Sequence, residues 1–546
     1  MAVSTSDTYV IAIDLGTGGP KVALFSVRGE CLGHEFEDVP LLLFPNGGAE
    51  QRTEDWWAAI KKATARLLDR VKVPADRIAA LSCTAQWSGT VAVDRDGSAL
   101  MNAIIWMDSR GAPYIRDITK GVVAFEGYGV GKAVKWLRLT GGIPAHSGKD
   151  PIAHILYIKH ELPEIYRRTY KFLEPKDYIN LRLTGRYAAS YDSIALHWVT
   201  DNRNLARVVY NDDLIRLSTI DAEKLPELKR AVDILGLITP EVARELGLPA
   251  HVKVVMGTPD LQSAAIGSGA VRDYEAHLYI GTSSWLICHV PFKKVDALHN
   301  MTTLPSAIPG RYFVANEQET AGACLKFLRD NLLFHRDELE TGQPPEDVFK
   351  VFDAIVERVP AGSNRVIFTP WLYGERTPVE NRLLRAGFTN LSLETTREQM
   401  IRAVFEGVAY NARWLLMYVE KFIKRPLEAI RMIGGGANSN VWCQILADVL
   451  GRPIQQVQDP ILANARGAAF LAGLGLGHLT VEDIPDRVKI AATYTPEPRN
   501  RALYDELFRE FLALYRSHKK IYGRLNATPR ETDGEVARSG GPEGRR

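Results

Sequence analysis

Along this chain, short β-branched runs alternate with longer stretches in which apolar residues recur every three or four positions. Tyr9-Val10-Ile11-Ala12-Ile13 and Lys21-Val22-Ala23-Leu24-Phe25 flank a turn-rich Asp14 to Pro20, which predicts a strand, a tight loop and a returning strand. His277-Leu278-Tyr279-Ile280, then Gly281-Thr282-Ser283-Ser284, then Trp285 to Val290 predict the same unit again. Both units place Gly-Thr directly after an apolar strand, at Gly16-Thr17 and Gly281-Thr282. The chain therefore reads as a distant internal duplication, with the halves meeting near residues 258 to 276.

Between the hairpins, strand-like runs such as Val252 to Met256 alternate with helical ones such as Thr53 to Leu68. That alternation predicts an α/β fold with helices on the sheet faces. In the second half Met400, Ala403, Val404, Val408 and Leu415 keep helical spacing across Gln399 to Leu416. Leu503, Leu507, Phe508, Phe511, Leu512 and Tyr515 form one stripe of a last amphipathic helix. Beyond Arg524 apolar residues are scarce, which predicts a disordered tail over 524–546.

Composition narrows the function classes. A length of 546 residues calls for two domains, taken as 1–262 and 263–523. With 67 Lys and Arg against 65 Asp and Glu the net charge is +2, which speaks against a broad basic face for nucleic acid. No apolar run reaches the roughly 18 residues of a membrane-spanning helix. Met1 to Thr8 lacks the pattern of a signal peptide, and the five cysteines are scattered and never in a CxxC pair. A cytoplasmic protein without a nucleic-acid or membrane partner is expected, and a homodimer is compatible with this composition.

Three glycine loops carry the first chemical signal. Asp14-Leu15-Gly16-Thr17-Gly18-Gly19-Pro20-Lys21 offers backbone N–H groups, a hydroxyl and an ammonium to phosphate, and a carboxylate to Mg²⁺. It also fits a hairpin whose glycines only relieve the backbone. Gly281, Thr282 and Ser283 give a second loop of the same type, and two such loops across a cleft would each grip a different part of ATP. In the third, Gly434-Gly435-Gly436-Ala437-Asn438-Ser439 lies between a strand and a helix, where bare backbone admits a flat ligand or a phosphate. Asn438 or Ser439 would equally serve as the helix cap.

Asp260 is the candidate base. Thr258 as cap, Pro259 as first helical residue and Asp260 in the first turn make an ordinary helix start, and the same helix dipole would keep Asp260 ionised. For a polyhydroxylated ligand, Gln86, Trp87, Trp106, Asp108 and Arg110 supply amide, carboxylate and guanidinium groups beside indole rings. Taken singly, Trp106 reads as core and Asp108 with Arg110 as a surface pair. Gly127 to Ala133 imitates a P-loop but lacks its first glycine and its Ser or Thr.

In order along the chain, these segments resemble the FGGY carbohydrate kinases from about Tyr9 to His478. The matching pieces are Asp14-Leu15-Gly16-Thr17 with Lys21, Gln86 with Gly89, Trp106 to Arg110, Asp260, Gly281-Thr282-Ser283, Gly374 to Pro378, Arg402 to Gly407 and Gly434 to Ala437. The resemblance implies two actin-like, ribonuclease-H-like domains closing on a central cleft, with ATP held mainly by the second. It implies Asp260 as general base and Asp14 as a holder of Mg²⁺. Thr17 and Lys21 would face Thr282 and Ser283 across the phosphates, and Gly434 to Gly436 would back the nucleoside.

The chain departs from the family at several points. Gly18-Gly19-Pro20 stands where hydroxyl side chains are usual, His154 and Tyr157 stand where Lys and Trp are usual, and Asn390 replaces a glycine. Xylulokinases commonly carry Gln-Met-His-Gly where this chain has Gln86-Trp87-Ser88-Gly89. Leu304 to Gly310 with Asn316-Glu317-Gln318 is xylulokinase-like. The expected activity is transfer of the ATP γ-phosphate to a terminal hydroxyl of a ketopentose such as D-xylulose. Ribulose, glycerol or erythritol would be alternative acceptors, and a silent sugar or nucleotide sensor is the competing class.

Overall fold

A computed structural model describes residues 8–335, 337–338 and 342–527. Five strands build the first sheet: β1 (Tyr9–Gly16), β2 (Gly19–Ser26), β3 (Cys31–Phe36), β4 (Ile78–Ala85) and β5 (Lys253–Pro259), with an edge strand Ile234–Leu237 beside β5. Their spatial order is β3-β2-β1-β4-β5. The first three form an antiparallel meander, and β4 and β5 run parallel to β1.

The second sheet repeats that order with β6 (Ala276–Ile280), β7 (Ser284–Val290), β8 (Tyr312–Ala315), β9 (Ile430–Ile433) and β10 (Ile454–Val457), extended by further strands at both edges. Again the hairpin is antiparallel and the strand beside β6 is parallel to it. The duplication and the two α/β domains expected from the sequence are both present in the described residues.

Strand β1 shows how the two sheet faces are used. Ile11, Ile13 and Leu15 point toward helix α1 (Thr53–Val71), whose Trp56, Ile60 and Leu67 cover that face. Val10 and Ala12, with Ala23 and Ala80, point the other way, toward Ala465, Ala468, Ala469 and Ala472. Those alanines lie on a helix of the second half, so small side chains on both partners let it press closely on the first sheet.

The tightest crossing between the halves involves helix α2 (Asp260–Gly267) and that alanine-rich helix, α5 (Ala463–Gly475). A Cβ on Gly267 would stand 1.7 Å from the Ala463 carbonyl oxygen, and one on Gly467 1.9 Å from that of Ser263. Only glycine permits this backbone contact. Asp260 is the first residue of α2, so the candidate base sits on the element along which the halves meet.

Helices α3 (Arg397–Ile423) and α4 (Asn440–Leu450) cover the second sheet, and α6 (Pro498–Asn526) packs Tyr504, Leu507, Phe508 and Phe511 into the same core. The predicted tail needs correcting at its start: residues 524–526 are still helical, and Asn526 Nδ2 donates to the Leu383 carbonyl at 2.9 Å. The rest of that expectation, 528–546, lies outside the described residues. Among the described residues no helix is long and apolar enough to cross a membrane.

Candidate active site

The ends of β1 and β5 come close to the turn between β6 and β7, since Asp14 and Glu317 both act on Asp260 and Ser283 acts on Glu317. Asp260 is half-buried there, with its Oδ1 accepting the Leu261 N–H at 2.7 Å. Burial is the main influence on its carboxyl, followed by the nearby Asp14 carboxylate, and together they push its pKa up to about 7. The Leu261 and Trp87 backbone N–H groups and Glu317 act as smaller influences in opposite directions. The helix start differs from expectation by one residue. Strand β5 runs through Pro259, and the Thr258 hydroxyl donates to Asp192 instead of capping the helix.

Asp14 is buried, and burial raises its pKa against the pull of Lys21 and of the Asn464 amide. Its Oδ2 lies 3.9 Å from Lys21 Nζ, while Oδ1 is buried without a hydrogen-bond partner. A buried carboxylate oxygen left in this state fits a divalent cation, which takes one or two protein carboxylates together with phosphate oxygens and water. Lys21 Nζ also donates to the Ile461 carbonyl at 2.9 Å, spanning the two halves beside α5.

The first hairpin handles its hydroxyl unexpectedly. Thr17 Oγ1 donates to Gln86 Oε1 at 3.2 Å and accepts from Trp106 Nε1 at 3.0 Å. Gln51 completes the chain, donating to the Thr17 carbonyl at 2.8 Å and accepting from Gln86 Nε2 at 2.8 Å. Thr17 thus joins the side chains expected to meet the sugar. Gln51 was not foreseen, because nothing in the sequence near it signals a ligand.

Within the Gly18-Gly19-Pro20 departure, the glycine at 19 has a packing cause and the one at 18 meets only ordinary contact. At Gly19, with φ +140°, a Cβ would come within 1.9 Å of the Glu37 carbonyl oxygen, so the chain after β3 crosses directly over the turn. Gly16 has no such constraint and keeps ordinary negative φ.

Of the other sugar-side candidates, Trp87 points its indole N–H at the Ser193 carbonyl, 2.9 Å away, and its ring sits 6.2 Å from that of Phe313. Asp108 and Arg110, expected among the sugar-side residues, bond within the protein. They are not a surface pair: the Asp108 carboxylate is buried and accepts from the Ala49 and Arg110 N–H groups, each at 2.9 Å, and from the Arg110 guanidinium. Arg110 also donates to Glu50 at 2.6 Å and Tyr157 at 3.1 Å. Their polar atoms thus engage each other, Ala49, Glu50 and Tyr157.

Across the cleft, Thr282 is exposed and Ser283 half-buried. Backbone bonds hold this turn: Gly281 accepts from Gly322 N–H at 2.8 Å and Thr282 from Ala321 N–H at 2.8 Å. Ser283 favours the ionised form of Glu317, whose Oε2 meets Arg376 at 2.5 Å. At Gly434 a Cβ would strike the Ile280 carbonyl at 2.6 Å, whereas Gly435 opens into space. Gly435 and Asn438 are exposed, Ala437 is buried, and it is Ser439 that caps α4 by accepting the Trp442 N–H at 3.1 Å. Capping and an open glycine face therefore coexist in adjacent residues.

His154 and Asn390 have local explanations. His154 is buried against the Thr90 hydroxyl at 3.2 Å, and burial lowers its pKa to about 4, so it is a neutral core group. Asn390 adopts φ +68°, a left-handed conformation that asparagine tolerates better than most residues.

Residues 9–267 match the model of the N-terminal domain of the FGGY family of carbohydrate kinases, and residues 276–476 match that of its C-terminal domain. A xylulose kinase of Bacillus subtilis is 27% identical over 538 residues, covering 95% of this chain and 99% of its own. A gluconokinase of the same organism is also 27% identical, over 521 residues, covering 95% and 98%. The crystal structure of a gluconate kinase from Lactobacillus acidophilus superposes with a TM-score of 0.82 at 25% identity, covering 95% of this chain and 100% of that one.

Proposed function

The chain belongs to the FGGY family of carbohydrate kinases and is a sugar kinase, and on that footing we propose that its acceptor is a ketopentose of the D-xylulose kind, phosphorylated at a terminal hydroxyl. The observation that carries the reading is Asp260, a half-buried carboxylate poised near neutrality between the two Gly-Thr hairpins. The xylulose kinase relative, aligned along nearly its whole length, supports the choice of sugar.

Phosphoryl transfer asks for alignment, charge neutralisation and removal of one proton. In this proposal Asp260 accepts the hydroxyl proton as the sugar oxygen bonds to the γ-phosphorus and the bond to the β-phosphate oxygen breaks, releasing ADP. Gln86, held by Thr17 and Gln51, and the Trp106 ring would position the sugar. Thr282 and Ser283 would donate to the phosphates, Gly434 to Gly436 and Asn438 would back the nucleoside, and Lys21 would approach from the first half. Asp14 would hold Mg²⁺, which neutralises phosphate charge when bound. Sugar would thus lie mainly on 1–262 and ATP on 263–523.

The test is ADP formation from MgATP by the purified protein across ketopentoses, pentitols, glycerol and tetritols, against a sugar-free baseline. Strong stimulation by D-xylulose is the expected result. Stimulation by another member alone would move the acceptor, and a flat panel with ATP binding intact would leave an acceptor outside the panel or a sensor.

A further inference from the structure

The second hairpin carries an aromatic pair that the reaction above does not use. Tyr279 on β6 lies directly opposite Trp285 on β7, and their rings stack with centres 3.9 Å apart and planes within 4°. A cross-strand stack of this kind fixes the direction of both rings. The Tyr279 ring also packs against two clusters, one holding Ala265 of α2 and the other Ala264 of α2 with Ile433 of β9. It therefore sits between the helix that Asp260 begins and the strand that leads into the third glycine loop.

Held in this way, its phenol end reaches along the strand to the Gly-Thr turn. A Cβ on Gly281 would stand 2.3 Å from the Tyr279 hydroxyl oxygen, and one on Gly434 3.0 Å from the ring carbon Cδ2. Gly281 lies outside the left-handed region, so it is the hydroxyl beside it, and not the backbone, that requires glycine there. Glycines of two nucleotide-side loops thus border one phenol. Among the described residues no hydrogen bond engages that hydroxyl. By contrast, the Tyr312 hydroxyl donates to the Asn202 carbonyl at 2.9 Å, that of Tyr210 to the Pro226 carbonyl at 2.8 Å, and that of Tyr504 to Glu406 at 2.9 Å.

Two carboxylates bear on the phenol. Burial first, then Asp260, then Asp14 push its pKa up to about 12, so it keeps its proton and remains a donor. In the reading above, Asp260 takes the proton of the attacking hydroxyl and Asp14 faces the phosphates. A donor close to both lies beside the phosphoryl group in transit. The first hairpin leaves that place short of hydroxyls, because Thr17 is engaged twice and Gly18-Gly19-Pro20 has none.

We propose that the Tyr279 hydroxyl donates to a γ-phosphate oxygen of ATP and keeps that bond while the phosphoryl group passes to the acceptor, which makes Tyr279 a catalytic residue. This rests on the kinase reading and adds a residue to it. The phenol keeps its own proton. The acceptor oxygen bonds to phosphorus and gives its proton to Asp260, the bond from phosphorus to the β-phosphate oxygen breaks, and ADP leaves. The donated bond offsets charge on the transferred oxygens throughout.

Tyr279→Phe removes the hydroxyl and keeps a ring to stack on Trp285. Calorimetric titration of the full chain with magnesium and either ADP or the non-hydrolysable β,γ-imido analogue of ATP decides the point, since neither titration needs a sugar. Tyr279→Phe should weaken the analogue about tenfold, the scale of one hydrogen bond to a charged group, and leave ADP within about twofold. In ADP formation stimulated by D-xylulose, kcat should fall about tenfold or more while KM for the sugar is nearly unchanged. The thermal midpoint should stay where it was, because the lost hydroxyl has no partner in the protein. Equal affinity of the variant and the unsubstituted chain for the analogue overturns the proposal. So does equal weakening of both nucleotides, which would make the phenol a support for the nucleotide loops. A rise in sugar KM with nucleotide binding intact overturns it too, and would assign the hydroxyl to the acceptor. Selective loss of analogue binding in a chain that D-xylulose fails to stimulate would overturn the choice of acceptor while upholding Tyr279.

Discussion

The two Gly-Thr hairpins occupy the same place in two sheets of the same strand order, yet they spend their hydrogen bonds differently. In the first, the Thr17 hydroxyl is engaged twice, by Gln86 and by Trp106, and the turn beside it is closed over by the Glu37 backbone. In the second, backbone bonds from Gly322 and Ala321 hold the turn, and exposed Thr282 has no recorded partner for its hydroxyl among the described residues. A dipeptide that looks like a phosphate donor in both places has that capacity free in one. Each donor has to be traced to its acceptor before a ligand is assigned to it.

Asp260 lies between the hairpins, and removing its charge should have the largest effect. Asp260→Asn should lower kcat by about 10²–10⁴-fold, the usual contribution of a positioned base. Calorimetry should find sugar and MgATP still bound, since both hairpins remain. Near-normal turnover by this variant would remove Asp260 from the mechanism and leave the hairpins without a shared centre.

The acid limb of the rate profile should report the same group. Asp260 accepts a proton only when ionised, and its carboxyl is pushed up to about 7 by burial and by Asp14. The active form is therefore lost as pH falls through that value. The apparent kcat/KM should drop about tenfold for each pH unit below it, provided the single ionisation controls the rate. Asp14→Asn removes the second influence on that carboxyl and should move the limb to lower pH, a shift measurable even in a weakened enzyme.

Substituting the two threonines tests the contrast itself. Thr17→Val removes the link between Gln86 and Trp106 and should raise the KM for sugar by about five- to tenfold, the scale of one or two lost neutral hydrogen bonds. Thr282→Ala should act on the KM for ATP by a similar or smaller factor and leave that for sugar nearly alone. Equal effects on both substrates from both variants would dissolve the distinction drawn between the hairpins.

Much of this was legible in the sequence because it depends on local pattern. The repeated strand, Gly-Thr and strand predicted the duplicated hairpins, and the helical spacing around Val404 and Phe508 located helices α3 and α6. What the pattern could not convey was the partner of each polar atom. Asp108 and Arg110 look alike whether on a surface or sealed into a wall, and only contacts with Glu50, Ala49 and Tyr157, far away in the chain, separate the cases. Gln51 gave no signal for the same reason. Gly267 and Gly467 sat inside apolar helical runs, and their requirement for glycine comes from each other's backbone across the halves.

The smallest effect should come from the far end of the chain, on the second hairpin's side only. Asn526 in the last turn of α6 donates to the Leu383 carbonyl, in the loop that follows Arg376, and Arg376 in turn holds Glu317 beside Ser283. Ending the chain at Arg524 removes that hydrogen bond while leaving Tyr504, Leu507, Phe508 and Phe511 packed. The loss should be about 1 kcal/mol, the net value of one such bond. Denaturant unfolding should register it as a small decrease in midpoint at constant slope. If the loop transmits the change, KM for ATP should rise slightly while KM for sugar stays put. An equal rise in both would mean that α6 supports the two halves alike, and that the difference between the hairpins does not extend beyond their own turns.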